Sequence, residues 1–406
     1  MNRDEMLKRI RRRETEWDII VVGGGATGLG TAIDAASRGY QVLLIEQSDF
    51  AKGTSSRSTK LVHGGVRYLQ QGNVSLVLEA LKERGLMRRN APHLVHNLPF
   101  VVPTYDWWEG PFYGSGLKVY DMLAGRHGFG HSRGLSREKT LAFIPTLEPR
   151  GLRGGVIYHD GQFDDARLAV NMARTAVEQG ATVVNYLRAE ALVKSEGMVR
   201  GVTARDAETG EACTLAAKVV VNATGVFADA LRRMDDPEAP GIITPSQGVH
   251  IVLDKSFMPG DTAIMVPHTD DGRVLFAIPW KNRVVVGTTD TEMEGTPLDP
   301  CPLPEEIDFL LSHAARYLTR DPKREDILSA FAGLRPLVSL GGHENTAAIS
   351  RDHALTLSRS GLLTITGGKW TTYRKMAEDT VDQAAVLAQL QDRKSTRLNS
   401  SHGKLS

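Results

Sequence analysis

WDIIVVGGGATGLGTAIDAASRGYQVLLIE, residues 17–46, is the stretch whose reading decides the fold. An apolar run over 18–22 stops at three glycines, a helical pattern follows over 26–38 and ends at Gly39, and a second apolar run over 41–45 closes on Glu46. This is the order of a βαβ unit that binds a dinucleotide. Gly23 permits the tight turn off the first strand, Gly25 lets a pyrophosphate approach the backbone, and Gly28 lets the helix pack close to the sheet. The helix N-terminus adds unpaired N–H groups and a positive dipole. Glu46 stands about twenty residues on, where an acid holds the ribose hydroxyls and repels a ribose phosphate, which favours a ligand without one. A glycine-rich turn with no ligand is the bland alternative, and the second strand with its terminal acid weighs against it.

Outward from this unit, 406 residues exceed one ordinary core, so two domains or one domain with a large insertion are expected. A hydrophobic fraction of 41%, a charged fraction of 24% and a net charge of +1 describe an ordinary globular chain and give no reason to expect nucleic acid. Cys213 and Cys301 are far apart and lack metal-ligand spacing, so neither a disulfide framework nor a zinc site is expected, and a reducing, cytoplasmic setting fits. No apolar run approaches the roughly eighteen residues that span a bilayer, and the first residues lack the apolar core of a signal peptide. Residues 1–16 are charged and basic, with Met6, Leu7 and Ile10 at helical spacing. A solvated arm is the expectation there, a short lipid-touching helix the alternative.

After Glu46 the loop SDFAKGTSSRSTKLVHGGVRYL carries Thr54, Ser55, Ser56, Ser58 and Thr59, hydroxyls that can reach phosphate, and a glycine pair whose backbone can lie against a flat ligand. A helix is expected over 73–89, ended by Pro92. Residues 98–149 read as irregular, and their aromatics, Trp107, Trp108, Phe112, Tyr113 and Tyr120, as core or interface filling. A helix over 164–179 and strands over 182–185 and 218–222 follow; the last runs into Ala223-Thr224-Gly225, small enough to pass beside a ligand. Short alternating strands at 250–253, 274–280 and 283–290 suggest a mostly antiparallel sheet covering a substrate, followed by a helix over 304–318. Only one dinucleotide unit is visible, which favours a substrate that is itself the hydride donor over a nicotinamide-fed reductase. The last residues, 392–406, change abruptly to polar and basic and look like a translated linker.

The segments TSSRSTKLVHGGVRYL, VVVNATGVFAD, QGVHIVL, VGTTDTE, FAGLRPL, AISRDHAL and TGGKWTTYRKMAED, with the opening unit, together resemble the FAD-dependent glycerol-3-phosphate dehydrogenases over about 17–383. The resemblance implies an α/β fold with a Rossmann-like FAD-binding domain of the glutathione-reductase type and a mostly antiparallel substrate domain of the D-amino-acid-oxidase type. It divides the chain into a charged arm (1–16), FAD-binding parts (17–95, 151–235 and 346–391), a substrate-domain insertion (96–150), a substrate domain (236–345) and the foreign-looking tail (392–406). The family continues into a helical C-terminal domain where this chain meets that tail.

The resemblance implies oxidation of glycerol 3-phosphate to dihydroxyacetone phosphate, with quinone as electron acceptor and a peripheral position on the cytoplasmic face of a membrane; an oligomer is compatible with it. Its implied FAD contacts are Gly23, Gly25, Gly28, Glu46, Thr54, Ser55, Ser56, Ser58, Lys60, His63, Ala223, Gly225, Gly368, Lys369 and Thr371. Arg335 is its leading phosphate ligand, helped by Arg67 and Arg351, because a guanidinium grips phosphate through two bonds at once. For each arginine a surface ion pair is the bland alternative. Tyr68 would orient the substrate, Lys369 would stabilise negative charge near the ring, and His250 is the candidate base on the premise of a near-neutral imidazole. A satisfied core histidine is the competing reading of His250, and Asp290 reads as a loop anchor. An oxidase using O2, a flavin oxidase of another hydroxy acid or amine, and an inactive FAD-binding fragment remain the alternatives.

Overall fold

The computed structural model describes residues 1–70, 72–267, 269, 274–339 and 353–391, without the side chains of residues 67 and 70. Two sheets organise it. The first has eight strands, with the path His353–Leu357, Leu363–Gly367, Ala212–Asn222, Trp17–Val22, Val42–Ile45, Thr182–Val184. Its centre is parallel: Trp17–Val22 pairs in parallel with both Ala212–Asn222 and Val42–Ile45. Alternate side chains of one strand point to opposite faces, and here they enter two separate cores. Ile19 and Val21 pack with Val42 and Leu44 under the helices Ala26–Ser37, Asp165–Glu178 and Tyr373–Leu387, whereas Trp17, Ile20 and Val22 pack with Leu43 and Ile45 on the other side. Burial on both faces explains why these strands read as continuous apolar runs rather than alternating ones.

The second sheet has ten strands, on the path Thr291–Glu292, Ile243–Asp254, Arg283–Gly287, Leu275–Trp280, Ala263–Val266, Val95–Thr104, Gly154–Phe163, Leu61–Val62. The strand Ile327–Val338 runs antiparallel beside Ile243–Asp254, and Arg133–Ser136 beside Gly154–Phe163. Every pairing is antiparallel except that of Ala263–Val266 with Val95–Thr104. Two of its strands, Leu61–Val62 and Gly154–Phe163, come from segments that the sequence reading placed in the FAD-binding parts, so the chain crosses between the sheets more often than that division supposes.

Two expectations are corrected. The N-terminal arm is a docked helix, Arg3–Arg11, not a solvated segment: Met6 and Ile10 are buried beside Trp17, Val184 and Leu187. Arg3 pairs with Asp206 at 3.0 Å and Glu208 at 2.5 Å, so the small apolar face is used up inside the protein. Residues 98–149 are also not irregular; Glu109–Ala124 is a helix of 16 residues. Its glycines and Pro111 mask it in the sequence, but Pro111 lies in the first turn, where its missing N–H costs nothing. Its Tyr113, Leu117, Tyr120 and Ala124 form the buried stripe.

Candidate active site

A cavity of about 510 Å³ runs between the sheets, from the glycine turn at one end to Arg335 at the other. That size suits a small-molecule site with a mostly apolar lining.

At the first end the backbone does the work. Gly23 has φ +114°, and a Cβ on it would lie 2.5 Å from the carbonyl oxygen of Ala223. A Cβ on Gly28 would lie 1.9 Å from the carbonyl oxygen of Gly23. Both positions therefore exclude a side chain, and the helix Ala26–Ser37 starts hard against the turn with Gly25 as its N-cap. Ser55 Oγ accepts from the Ala26 N–H at 2.9 Å. Glu46 accepts from the Gly24 N–H at 2.7 Å and the Ser48 N–H at 2.8 Å, while burial pushes its carboxyl above the ordinary range. Glu46 clamps the turn and lines the cavity together with Ala223 and Gly225.

Along the middle, Thr54, Ser55, Ser58, Thr59 and His63 line the cavity. Ser56 and Lys60, expected as cofactor contacts, are not among its lining residues. Lys60 Nζ is 2.8 Å from both oxygens of the buried Asp165 and donates to the Ser56 carbonyl at 2.8 Å. Asp165 also takes the Ser58 hydroxyl at 2.7 Å. A buried carboxylate must be paired, so it draws the lysine inward and fixes the loop rather than leaving the ammonium for a ligand. The segment after Gly367 packs against this loop: Gly368 has φ +68°, Trp370 Nε1 donates to the Ser55 carbonyl at 2.8 Å, and Thr371 donates to the His63 carbonyl at 3.4 Å.

The far end is built from side chains. Arg335 Nη2 donates to Thr288 Oγ1 at 2.9 Å and the Thr289 carbonyl at 3.0 Å, Nη1 lies 3.4 Å from the Gln247 carbonyl, and Asp290 stands 3.6 Å away. Asp290 also takes a short hydrogen bond from Ser246, so it acts as a loop anchor. Lys369 Nζ sits 3.9 Å from the centre of the Tyr68 ring, and both line the cavity. His250 is buried, stacked on Phe331 with ring centres 4.8 Å apart, and its Nε2 is 2.9 Å from Thr59 Oγ1. Its Nδ1 meets no hydrogen-bond partner among the described residues. Burial first, then the charges of Arg335 and Lys60, push its pKa down to about 3, so the near-neutral imidazole assumed from sequence is replaced by a neutral ring that resists protonation.

Arg335, His250, Tyr68 and Lys369 thus meet in one cavity with the glycine turn. Arg351 and the side chain of Arg67 lie outside the described residues. Sequence reasoning missed the glycines that make room at the far end. A Cβ on Gly248 would fall 2.3 Å from Arg335 Nη2, and one on Gly287 2.2 Å from His250 Cδ2. Their neighbours in QGVHIVL and VGTTDTE were the available signal, but only the strand pairings, His250 opposite Gly287 and Gly248 opposite Gly333, show what each glycine accommodates.

Residues 18–374 match the model of the family described as "DAO: FAD dependent oxidoreductase". The chain is 46% identical over 385 residues to the mitochondrial glycerol-3-phosphate dehydrogenase of Macaca fascicularis, covering 91% of this chain and 53% of that one. It is likewise 46% identical over 386 residues to the Arabidopsis thaliana mitochondrial enzyme, covering 92% and 61%. Among solved structures, the glycerol-3-phosphate dehydrogenase from Bacillus halodurans complexed with FAD superposes with a TM-score of 0.79 at 36% identity, covering 98% of this chain and 69% of that one. The chain spans about half the length of curated relatives such as the Macaca enzyme. The chain belongs to the FAD dependent oxidoreductase family, and FAD is its cofactor. The residues present fit that group: a turn that excludes side chains, a helix N-terminus, a half-buried acid and hydroxyls line one cavity.

Proposed function

We propose that the chain oxidises sn-glycerol 3-phosphate to dihydroxyacetone phosphate and that its electrons pass to a quinone. The observation that carries this reading is that Arg335, His250, Tyr68 and Lys369, drawn from four distant segments, share the cavity that opens at the glycine turn. Bound FAD supplies the two-electron hydride acceptor. Gly23, Gly25, Glu46 and the hydroxyls of Thr54 and Ser55 would hold it together with Gly368, Lys369 and Thr371, while Gly28 lets the helix pack against the turn.

Arg335 anchors the phosphate through its positive charge, its Nη donors being shared with Gln247, Thr288 and Thr289. His250 accepts the proton of the secondary hydroxyl. One cation depressing its pKa is Arg335, and an anionic phosphate held there offsets that charge, so substrate binding itself makes the imidazole more basic. Tyr68 orients the alcohol, and Lys369 stabilises negative charge. Anaerobic titration of the FAD-loaded chain with glycerol 3-phosphate tests the reading: loss of the oxidised-flavin absorbance is expected, and an unchanged spectrum overturns it. Stoichiometric hydrogen peroxide in air would point to an oxidase instead.

We also propose peripheral attachment to the cytoplasmic face of a membrane, which fits a lipid-soluble acceptor. The support is the helix Glu109–Ala124, whose exposed face carries Phe112 at 50%, Val119 at 45% and Met122 at 79%, with Trp107 at 76% and Trp108 at 42% just before it. Its two carboxylates turn away from that face onto backbone amides, Glu109 to Tyr105 and Asp106 and Asp121 to Ser132, and Lys118 is the charged residue at its exposed positions. Such a surface suits an anionic bilayer interface. Among the described residues no helix is long and apolar enough to cross a membrane. Co-sedimentation with anionic vesicles, lost on replacing Trp107, Trp108 and Phe112 by serine, tests the attachment.

A further inference from the structure

We infer that Glu306 is the positioning residue for Arg335, a role that rests on reading Arg335 as the phosphate anchor. Glu306 lies in the first turn of the helix Pro304–Ala315 and is 3% exposed. Its Oε1 accepts from the hydroxyls of Thr289 at 2.8 Å and Thr291 at 2.7 Å, and its Oε2 accepts from Gln247 Nε2 at 2.7 Å and the Leu303 N–H at 3.0 Å. Four donors and no acceptor surround it, and a carboxylate offers acceptor sites only. A neutral amide of the same shape keeps these contacts only if both threonine hydroxyls reverse to accept, and it removes the charge.

Gln247 and Thr289 are also the residues whose carbonyls receive the Arg335 guanidinium, at 3.4 Å and 3.0 Å. Their side chains end on Glu306 and their backbones end on Arg335. Thr289 Oγ1 further accepts the Val249 N–H at 2.9 Å, so the loop after Arg283–Gly287 is stitched to the strand Ile243–Asp254 through the same hydroxyl. Glu306 does not line the cavity. It sets where the two carbonyls stand, and these set where the guanidinium fork points. Hydrogen bonds to a buried charge are among the stronger ones, and leaving a buried partner unsatisfied costs more than the bond itself is worth.

The test compares Glu306→Gln, Arg335→Lys and the double variant in the full FAD-loaded chain, reading kcat and KM for glycerol 3-phosphate with a dye acceptor and Kd for dihydroxyacetone phosphate by calorimetry. Glu306→Gln is expected to raise KM and Kd about tenfold, with kcat changed less than about twofold and an unaltered flavin spectrum. In the Arg335→Lys background the same change should add less than about twofold, because the two residues act as one unit. Independent, multiplying effects, or a fall in Tm with KM unchanged, would overturn the link. If Glu306→Gln fails to fold, Glu306→Asp, which keeps the charge but withdraws it, must give the same rise in KM. A rise in KM for Arg335→Lys with none for Glu306→Gln leaves the anchor standing and rejects the link. A silent Arg335→Lys rejects the anchor, and the link with it.

Discussion

The two ends of the cavity are built by opposite means. At the turn, recognition rests on backbone held close by glycine: Gly23 and Gly28 leave no room for a Cβ, and the helix start lies next to them. At the other end recognition rests on long side chains, with Arg335 on Ile327–Val338 and His250 on the neighbouring Ile243–Asp254. The first end needs one contiguous stretch of about thirty residues. The second needs strands far apart in sequence to be paired in register. Substitution should therefore fail differently at each end: steric and global at the turn, chemical and local at the sheet.

Gly28→Val should have the largest effect, because its side chain would collide with the Gly23 carbonyl; a loss of about 3 kcal/mol or more is expected. The purified variant should be colourless and its Tm sharply lowered. If it retained flavin, the turn would not be the rigid end. Arg335→Ala should lower kcat/KM for glycerol 3-phosphate by about a hundredfold or more, mostly through KM, with flavin content unchanged. His250→Ala should slow anaerobic flavin reduction by about a hundredfold while product affinity is kept, which stopped-flow mixing resolves. Reduction at the normal rate would remove the base.

Lys60→Met separates tethering from cofactor contact. It should destabilise the fold by about 3 kcal/mol, the cost of leaving Asp165 buried without its cation, yet leave FAD affinity within about twofold. A large loss of FAD affinity at unchanged Tm would restore Lys60 to the cofactor site.

The last expected effect is on the slope of stability against pH. The folded pKa of His250 is about 3 against an ordinary 6.5, so between these values the unfolded chain binds the extra proton. Its contribution is therefore complete above about pH 6.5 and is lost as the pH falls toward 3. Tm should fall less steeply over that window in His250→Leu than in the parent chain, and identical slopes would show that the ring is not held neutral.

Much of the nucleotide end was legible because its requirements are local. A strand, three glycines, a helix and a terminal acid lie within one stretch, and their spacing carries their geometry. The helix Glu109–Ala124 was not legible, since glycine and proline lower its local propensity and tertiary burial of Tyr113, Leu117 and Tyr120 overrides that. The Arg3–Arg11 helix was misjudged for a related reason: two buried residues suffice once a ready-made pocket receives them.

Resemblance between motifs marked Arg335, His250 and Lys369, but it could not tell Lys60, spent on Asp165, from the hydroxyls that line the cavity. Nor could it show that Glu306 stands behind Arg335 through two shared residues. The amino-acid order by itself determined the βαβ unit and the direction in which its ligand lies, because glycine's missing Cβ acts where it stands. Which cation faces the cavity, and how basic the buried imidazole is, only the tertiary structure decided, because charge pairing and desolvation depend on what folding brings alongside.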